Sequence, residues 1–267
     1  MADLTGTGIL VTGGTSGLGR AMARALAEAG ARVVITSRDR SRAELVAHEL
    51  GGAVAGIELD VRRQASVWAG VDQTYGLFGS LDMLVNNAGI GMRTVNPRFF
   101  SDSQPFWKVS AAGFQDLVDT KLLGCFLVAR EVLPRMLSTG RGRMVTISMN
   151  EETMVRRGFV PYGPAGAAVE AMARVMAADL SGTSVTANIL LPGGATATGM
   201  VPEEAPGEVR VRLLDPDIMG PPIVWLASPE AAGMHGERIV ATEFDTWLAG
   251  RRGDSPGPVG SRATSRG

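Results

Sequence analysis

The stretch Thr12-Gly13-Gly14-Thr15-Ser16-Gly17-Leu18-Gly19 limits what this chain can fold into more than any other. A short apolar run, Ile9-Leu10-Val11, precedes it and reads as a buried strand. The segment after it, Arg20 to Ala29, is rich in helix formers, with Leu18, Met22, Ala25 and Ala29 at helical spacing and Gly30 as a stop. The glycines therefore sit between a strand and a helix N-terminus. There they permit a tight turn and close backbone approach. The unpaired N–H groups and the positive end of the helix dipole face the same gap, which suits a phosphate. In this setting the loop points to a dinucleotide site built from Gly13, Thr15, Ser16, Gly17, Leu18 and Gly19.

Strand-like and helix-like segments alternate through most of the remaining chain. Strands are expected at 31–36, 54–59, 81–85, 144–147, 185–191 and 238–242, and helices at 43–50, 66–78, 114–137, 160–180 and 218–227. Such alternation predicts an α/β fold of three layers, a parallel sheet with helices on both faces. Residues 91–112 hold Pro97, Pro105 and several aromatics and read as an irregular connection. Residues 194–214 read as a flexible lid. One domain is expected over 1–248, and the almost apolar-free segment 249–267 reads as a disordered tail.

A net charge of −1 supplies no basic field for nucleic acid or anionic lipid. No apolar run approaches the roughly 18 residues that span a bilayer, and no basic-then-apolar leader precedes the first strand. Cys125 is the sole cysteine, set in an apolar stretch, which suggests a buried structural thiol in a reducing compartment; a cytoplasmic protein is expected. His48 and His235 lack partners at metal-ligand spacing, so no metal site is expected.

The end of the second strand should meet the adenosine ribose, about 20 residues past the glycine loop. Ser37 stands where an acid would favour a free 2′-hydroxyl, and Arg38 can fork onto a 2′-phosphate. Asp39 next to it is the residue that could instead reach the ribose. NADP(H) is favoured over NAD(H). Asp60-Val61 would bring a carboxylate near the adenine amino group, or cap the following helix.

Together with Asn86-Asn87-Ala88-Gly89, Tyr162 and Pro192-Gly193, these motifs resemble those of the short-chain dehydrogenase/reductase family, in order and over about residues 5–245. The resemblance implies a seven-stranded parallel sheet of Rossmann type and carbonyl/alcohol oxidoreduction on a small molecule. It also implies a cofactor bordered by Asn87, Ala88, Gly89, Tyr162, Pro192, Gly193, Ala195 and Thr198. A homodimer or homotetramer would pack through helices at about 114–137 and 160–180. The family's catalytic set is Asn, Ser, Tyr and Lys. Tyr162 matches the proton donor. The lysine expected four residues later is Gly166, the serine expected thirteen residues earlier is Met149, and the asparagine is Lys121. Ser148 and Asn150 are the polar neighbours that could replace the serine, and Glu151-Glu152 lie just beyond. Lys121 could restore the missing positive charge near Tyr162. The alternative is a redox-impaired chain that binds dinucleotide and acts in non-redox chemistry or as a binding or regulatory protein. Trp107, Met154, Phe159, Met200 and Val201 are expected on an apolar substrate side.

Overall fold

Seven apolar runs become strands: β1 (Gly8–Val11), β2 (Arg32–Ser37), β3 (Val54–Glu58), β4 (Met83–Asn86), β5 (Gly142–Ile147), β6 (Val185–Leu191) and β7 (Arg238–Val240). The computed structural model describes residues 2–202 and 205–253. All pairings are parallel, in the order β3-β2-β1-β4-β5-β6-β7. Strand order reverses between β1 and β4. In such sheets the crevice beyond the carboxyl ends at that point is where ligands bind.

Helices cover both faces: α1 (Gly17–Glu28), α2 (Arg40–Leu50), α3 (Gln64–Phe78), α4 (Ala111–Val118), α5 (Gly124–Thr139), α6 (Glu151–Met154), α7 (Tyr162–Asp179), α8 (Gly207–Val211), α9 (Gly220–Ala227) and α10 (Phe244–Arg252). Alternation along β1 and β2 divides the core. Ile9, Val11, Val33 and Ile35 pack with Met22 and Leu26 of α1 and Ile223 of α9. Leu10 and Val34 face the other way, onto Val71 of α3 and Val128 and Val132 of α5. Each such fully buried aliphatic side chain contributes about 1.5–3 kcal/mol, which is why both faces of β1 are apolar.

Four sequence expectations need correction. The connection at 91–112 contains two 3₁₀ turns, Met92–Thr94 and Phe106–Lys108. The helix after it starts at Ala111, capped by Ser110 Oγ, which accepts from Gly113 N at 3.1 Å. That helix is not uniform, because a π turn over Asp119–Leu123 joins α4 to α5. The lid has structure of its own: it carries α8, and Thr196 bridges Leu214. Finally, residues 249–252 are helical rather than part of a tail, because α10 docks Phe244 and Trp247 against Trp225 of α9. The tail expected over 254–267 lies outside the described residues.

Candidate active site

The glycine loop leaves β1 and enters α1 with Gly13 at φ +65° and Gly17 at φ +52°, the left-handed region that side chains disfavour. A Cβ on Gly13 would lie 2.9 Å from Ala88 Cα, so the loop can approach the β4 end only as glycine. Asn87 Nδ2 donates to the carbonyls of Thr12 (2.9 Å) and Gly13 (3.1 Å), and Thr12 Oγ1 accepts from the N–H groups of Asn87 and Ala88 at 3.0 Å. These bonds hold the loop against Asn87-Ala88-Gly89. Ser16 caps α1 with no side-chain bond, and the first turn carries no acid. The first N–H groups and the helix dipole are therefore available to a diphosphate. The chemistry of the loop fits a dinucleotide.

A cavity of about 770 Å³ runs from this loop across the sheet end. Gly13, Thr15, Ser16, Gly17, Leu18, Gly19, Ser37, Arg38, Val61, Asn87, Ala88, Gly89, Pro192, Ala195 and Thr198 border it. Two members of the expected set do not line it. Gly193 is held at φ +96° behind the wall, where a Cβ would strike Thr242. Asp60 is forked by Arg62, Nε to Oδ1 at 3.0 Å and Nη2 to Oδ2 at 2.8 Å, and Arg62 also pairs with Asp116 of α4 at 2.5 Å. Arg62 holds the Asp60 carboxyl below its usual range. The carboxylate thus ties the β3 end to α4.

At the second strand, Asp39 is committed: its carboxylate caps α2 by accepting from Arg42 N at 3.1 Å. Arg38 is exposed and has no ion pair among the described residues.

Tyr162 opens α7 beneath the cavity, and burial raises its hydroxyl above the ordinary tyrosine value. Lys121 reaches it from the π turn, with Nζ 4.8 Å from the centre of the Tyr162 ring. The lysine stem lies along Gly89, where a Cβ would sit 3.5 Å from both Cγ and Nζ. Burial pushes the Lys121 amine down to about 8, so it is still mostly protonated at neutral pH. An extra residue in the π turn re-aims the side chains around it. No feature of the local sequence announced that turn.

Position 166 is filled. A Cβ there would lie 2.7 Å from Met149 Sδ, with Cε closer still. Met149 is buried, and its thioether occupies the space above Gly166. The two departures from the family pattern are therefore one packing solution. Ser148 borders the cavity, yet its Oγ donates to Glu170 Oε2 at 2.6 Å. Arg238 (2.8 Å) and Arg174 (2.9 Å) hold the other oxygen of Glu170. Burial alone would raise this carboxyl, and the three partners together bring it below the usual range. Ser148 thus lines the cavity while its hydroxyl proton is donated to a buried ion cluster. Asn150 Nδ2 donates to Gly193 O at 2.9 Å. Glu151 and Glu152 are exposed on α6, outside the cavity lining.

The substrate end is walled by Met92, Phe99, Phe100, Phe159, Met200 and Val201. Trp107 and Met154 were also expected there. Trp107 instead is 72% exposed against Phe106, and Met154 packs outside the lining. The lid crosses both ends of the cavity. Thr198 lies against Gly17, where a Cβ would meet its Cγ2 at 3.1 Å, and the Tyr162 hydroxyl donates to Met200 Sδ at 3.9 Å. Arg93 fastens the lid by donating to Gly199 O at 2.8 Å.

Cys125 is buried below Lys121, and burial pushes its thiol up to about 12, which makes it inert. His235 pins β6, accepting from Ala187 N at 3.2 Å and meeting Ala177 O at 2.8 Å. Among the described residues no group of His, Cys, Asp and Glu could hold a metal, and no helix is long and apolar enough to cross a membrane.

Known proteins are similar to this chain in sequence and fold. L-fucose dehydrogenase of Bos taurus is 36% identical over 69% of this chain and 64% of its own length, so the match spans under two thirds of that relative. The 3-oxoacyl-[acyl-carrier-protein] reductase of Vibrio cholerae is 31% identical over 89% of this chain and 96% of its own. The solved structure of 3-ketoacyl-(acyl-carrier-protein) reductase from Brucella melitensis complexed with NADH superimposes with a TM-score of 0.79 at 28% identity, covering 89% of this chain and 97% of that one. The family model for short chain dehydrogenase matches residues 7–208. With that match laid over the glycine loop, the Asn87 brace and Tyr162, the chain belongs to the short-chain dehydrogenase family of oxidoreductases.

Proposed function

We propose that this protein is an NADP(H)-dependent carbonyl reductase in which Lys121 supplies the charge that other family members place four residues after the tyrosine. The observation that carries the reading is the Lys121 ammonium 4.8 Å over the Tyr162 ring while Met149 fills the space at Gly166. A nicotinamide dinucleotide bound along the glycine loop supplies hydride. Tyr162 holds its proton at Oη, ready for the oxygen of a carbonyl that has become an alkoxide. The Lys121 ammonium then stabilises the phenolate through the ring face. Burial keeps Tyr162 neutral, which is the form reduction needs at the outset; oxidation needs the phenolate that burial disfavours. Arg38, exposed and without a salt bridge among the described residues while Asp39 caps α2, supports the 2′-phosphorylated cofactor. Assembly into a homodimer or homotetramer is part of the reading, supported by Phe114, Leu123, Phe126 and Val175 exposed on the outer faces of α4, the π turn, α5 and α7. The lone buried Cys125 agrees with a cytoplasmic location.

A second reading has its own support: Met200 occupies the hydrogen-bonding position at the Tyr162 hydroxyl and Ser148 is committed to Glu170. Both favour a dinucleotide-binding chain without efficient redox chemistry. Cofactor oxidation over a panel of aldehydes and ketones separates the two. The first reading expects NADPH to outperform NADH, Tyr162→Phe to cut turnover by about 100-fold or more, and Lys121→Met to lower kcat with NADPH affinity unchanged. NADPH binding with no hydride transfer to any carbonyl establishes the second.

A further inference from the structure

The cavity that holds Tyr162 has charges of one sign. Its charged lining residues are Arg38, Arg93, Lys121 and Arg156, and none of the residues that border it is Asp or Glu. This is not the composition of the chain, whose acids and bases nearly cancel to a net charge of −1. Arg38 belongs to the adenosine end and Lys121 to the tyrosine. Arg93 and Arg156 remain, at the aromatic end.

Arg156, itself exposed, borders the cavity and lies over that wall. Its guanidinium carbon lies 4.6 Å from the centre of the Phe159 ring and 5.8 Å from that of Phe100. Phe159 in turn stands edge-on to Tyr162, with centroids 6.3 Å apart, and to Phe99 at 5.7 Å. A guanidinium laid on aromatic faces keeps its in-plane N–H groups pointing outward, where they form a fork for a planar anion. Arg156 has no ion pair or hydrogen bond to another side chain among the described residues, although acids elsewhere, Glu44, Glu49 and Asp102 among them, do pair with arginines. The cation and the phenol thus stand at opposite ends of one aromatic wall. Met92 and Phe99 close it as an apolar surface.

Resting on the reading of Tyr162 as the proton donor, we infer that the substrate is a carbonyl compound carrying a carboxylate on an apolar or aromatic body. The carboxylate is forked by Arg156, the body lies on Phe99, Phe100 and Phe159, and the carbonyl oxygen reaches Tyr162. The single guanidinium and its flat fork match the two oxygens and one charge of a carboxylate. Arg93 adds positive potential at the same mouth while it ties down the lid.

The test uses the full chain with NADP+ bound and does not depend on turnover. Binding of aryl and medium-chain carboxylates is compared with that of their methyl esters by calorimetry, in wild type, Arg156→Gln and Arg157→Gln, a neighbour outside the cavity lining. The expected result is that carboxylates bind about tenfold or more tighter than their esters, that Arg156→Gln removes the difference, and that Arg157→Gln keeps it. The preference should also shrink with added salt. Equal binding of acids and esters overturns the inference, as does a preference that survives Arg156→Gln. Tighter binding of the corresponding phosphate monoesters overturns the carboxylate assignment. If carboxylates bind through Arg156 while no oxo acid is reduced, the redox reading fails and the anion site stands; if other carbonyls are reduced and acids gain nothing, the reverse holds.

Discussion

The contact between Met149 and Gly166 makes a sign-reversing prediction. Gly166 lies inside α7, where replacing glycine by alanine ordinarily stabilises a helix by about 1 kcal/mol. Here the new Cβ would lie 2.7 Å from Met149 Sδ and 3.3 Å from its Cγ, and Met149 is itself buried, so the thioether must be pushed into its neighbours. Overpacking of this kind costs about 1–3 kcal/mol. Gly166→Ala should therefore be neutral or destabilising by up to about 2 kcal/mol in the native background. In a Met149→Ala background, which itself loses about 2–5 kcal/mol to the cavity left behind, the obstacle is gone and Gly166→Ala should stabilise by about 1 kcal/mol. The coupling, about 1–3 kcal/mol, is read from urea unfolding of the four proteins in a double-mutant cycle. If Gly166→Ala stabilises both backgrounds equally, with coupling below about 0.5 kcal/mol, the packing argument is wrong. The same geometry says that a lysine introduced at position 166 requires Met149 to be removed with it.

Other consequences can be measured directly. Lys121→Met should raise the melting temperature at pH 7, because the folded state holds the amine near 8 against an unfolded value near 10.5 and the ammonium is the disfavoured form; the gain should shrink as pH rises from 8 to 10.5. Glu170→Gln should destabilise by about 3 kcal/mol at neutral pH, since it leaves Arg174 and Arg238 facing an uncharged amide. Because the folded carboxyl lies below its unfolded value, the native protein should lose that part of its stability as pH falls through the acid range, while the variant shows a flatter acid limb in thermal melts. Arg38→Gln should weaken NADPH by about tenfold and leave NADH nearly unchanged in fluorescence titrations, whereas Asp39→Ala should cost about 1 kcal/mol of stability through the lost cap and spare both affinities.

The sheet was legible because every strand is a short apolar run and the glycine loop fixes where β1 ends. The loop that borders the cavity was legible for a related reason, since glycines mark it and they are visible in sequence. The catalytic half was legible only as a set of departures. That Met149 lies on Gly166 depends on a contact between the β5 end and α7, and that Ser148 belongs to Glu170 depends on a partner 22 residues away; neither distance is encoded locally. The π turn that aims Lys121 has no composition signal. The α10 helix did carry one, Phe244-Trp247-Leu248 at helical spacing, which the polar residues after 249 obscured.

The lid segment has a kinetic consequence. Thr198 rests on the glycine loop and Met200 on the Tyr162 hydroxyl, two residues apart on one strand of chain. If a diphosphate seats on the loop and a carbonyl approaches the phenol as proposed, both would press on that strand, and occupancy at one end would change the free energy of occupancy at the other. On the proposed reading, a dinucleotide that displaces Thr198 would also lift Met200 from the Tyr162 hydroxyl, and the expected kinetic order is cofactor first. Initial-rate patterns should show a substrate that does not compete for the free enzyme.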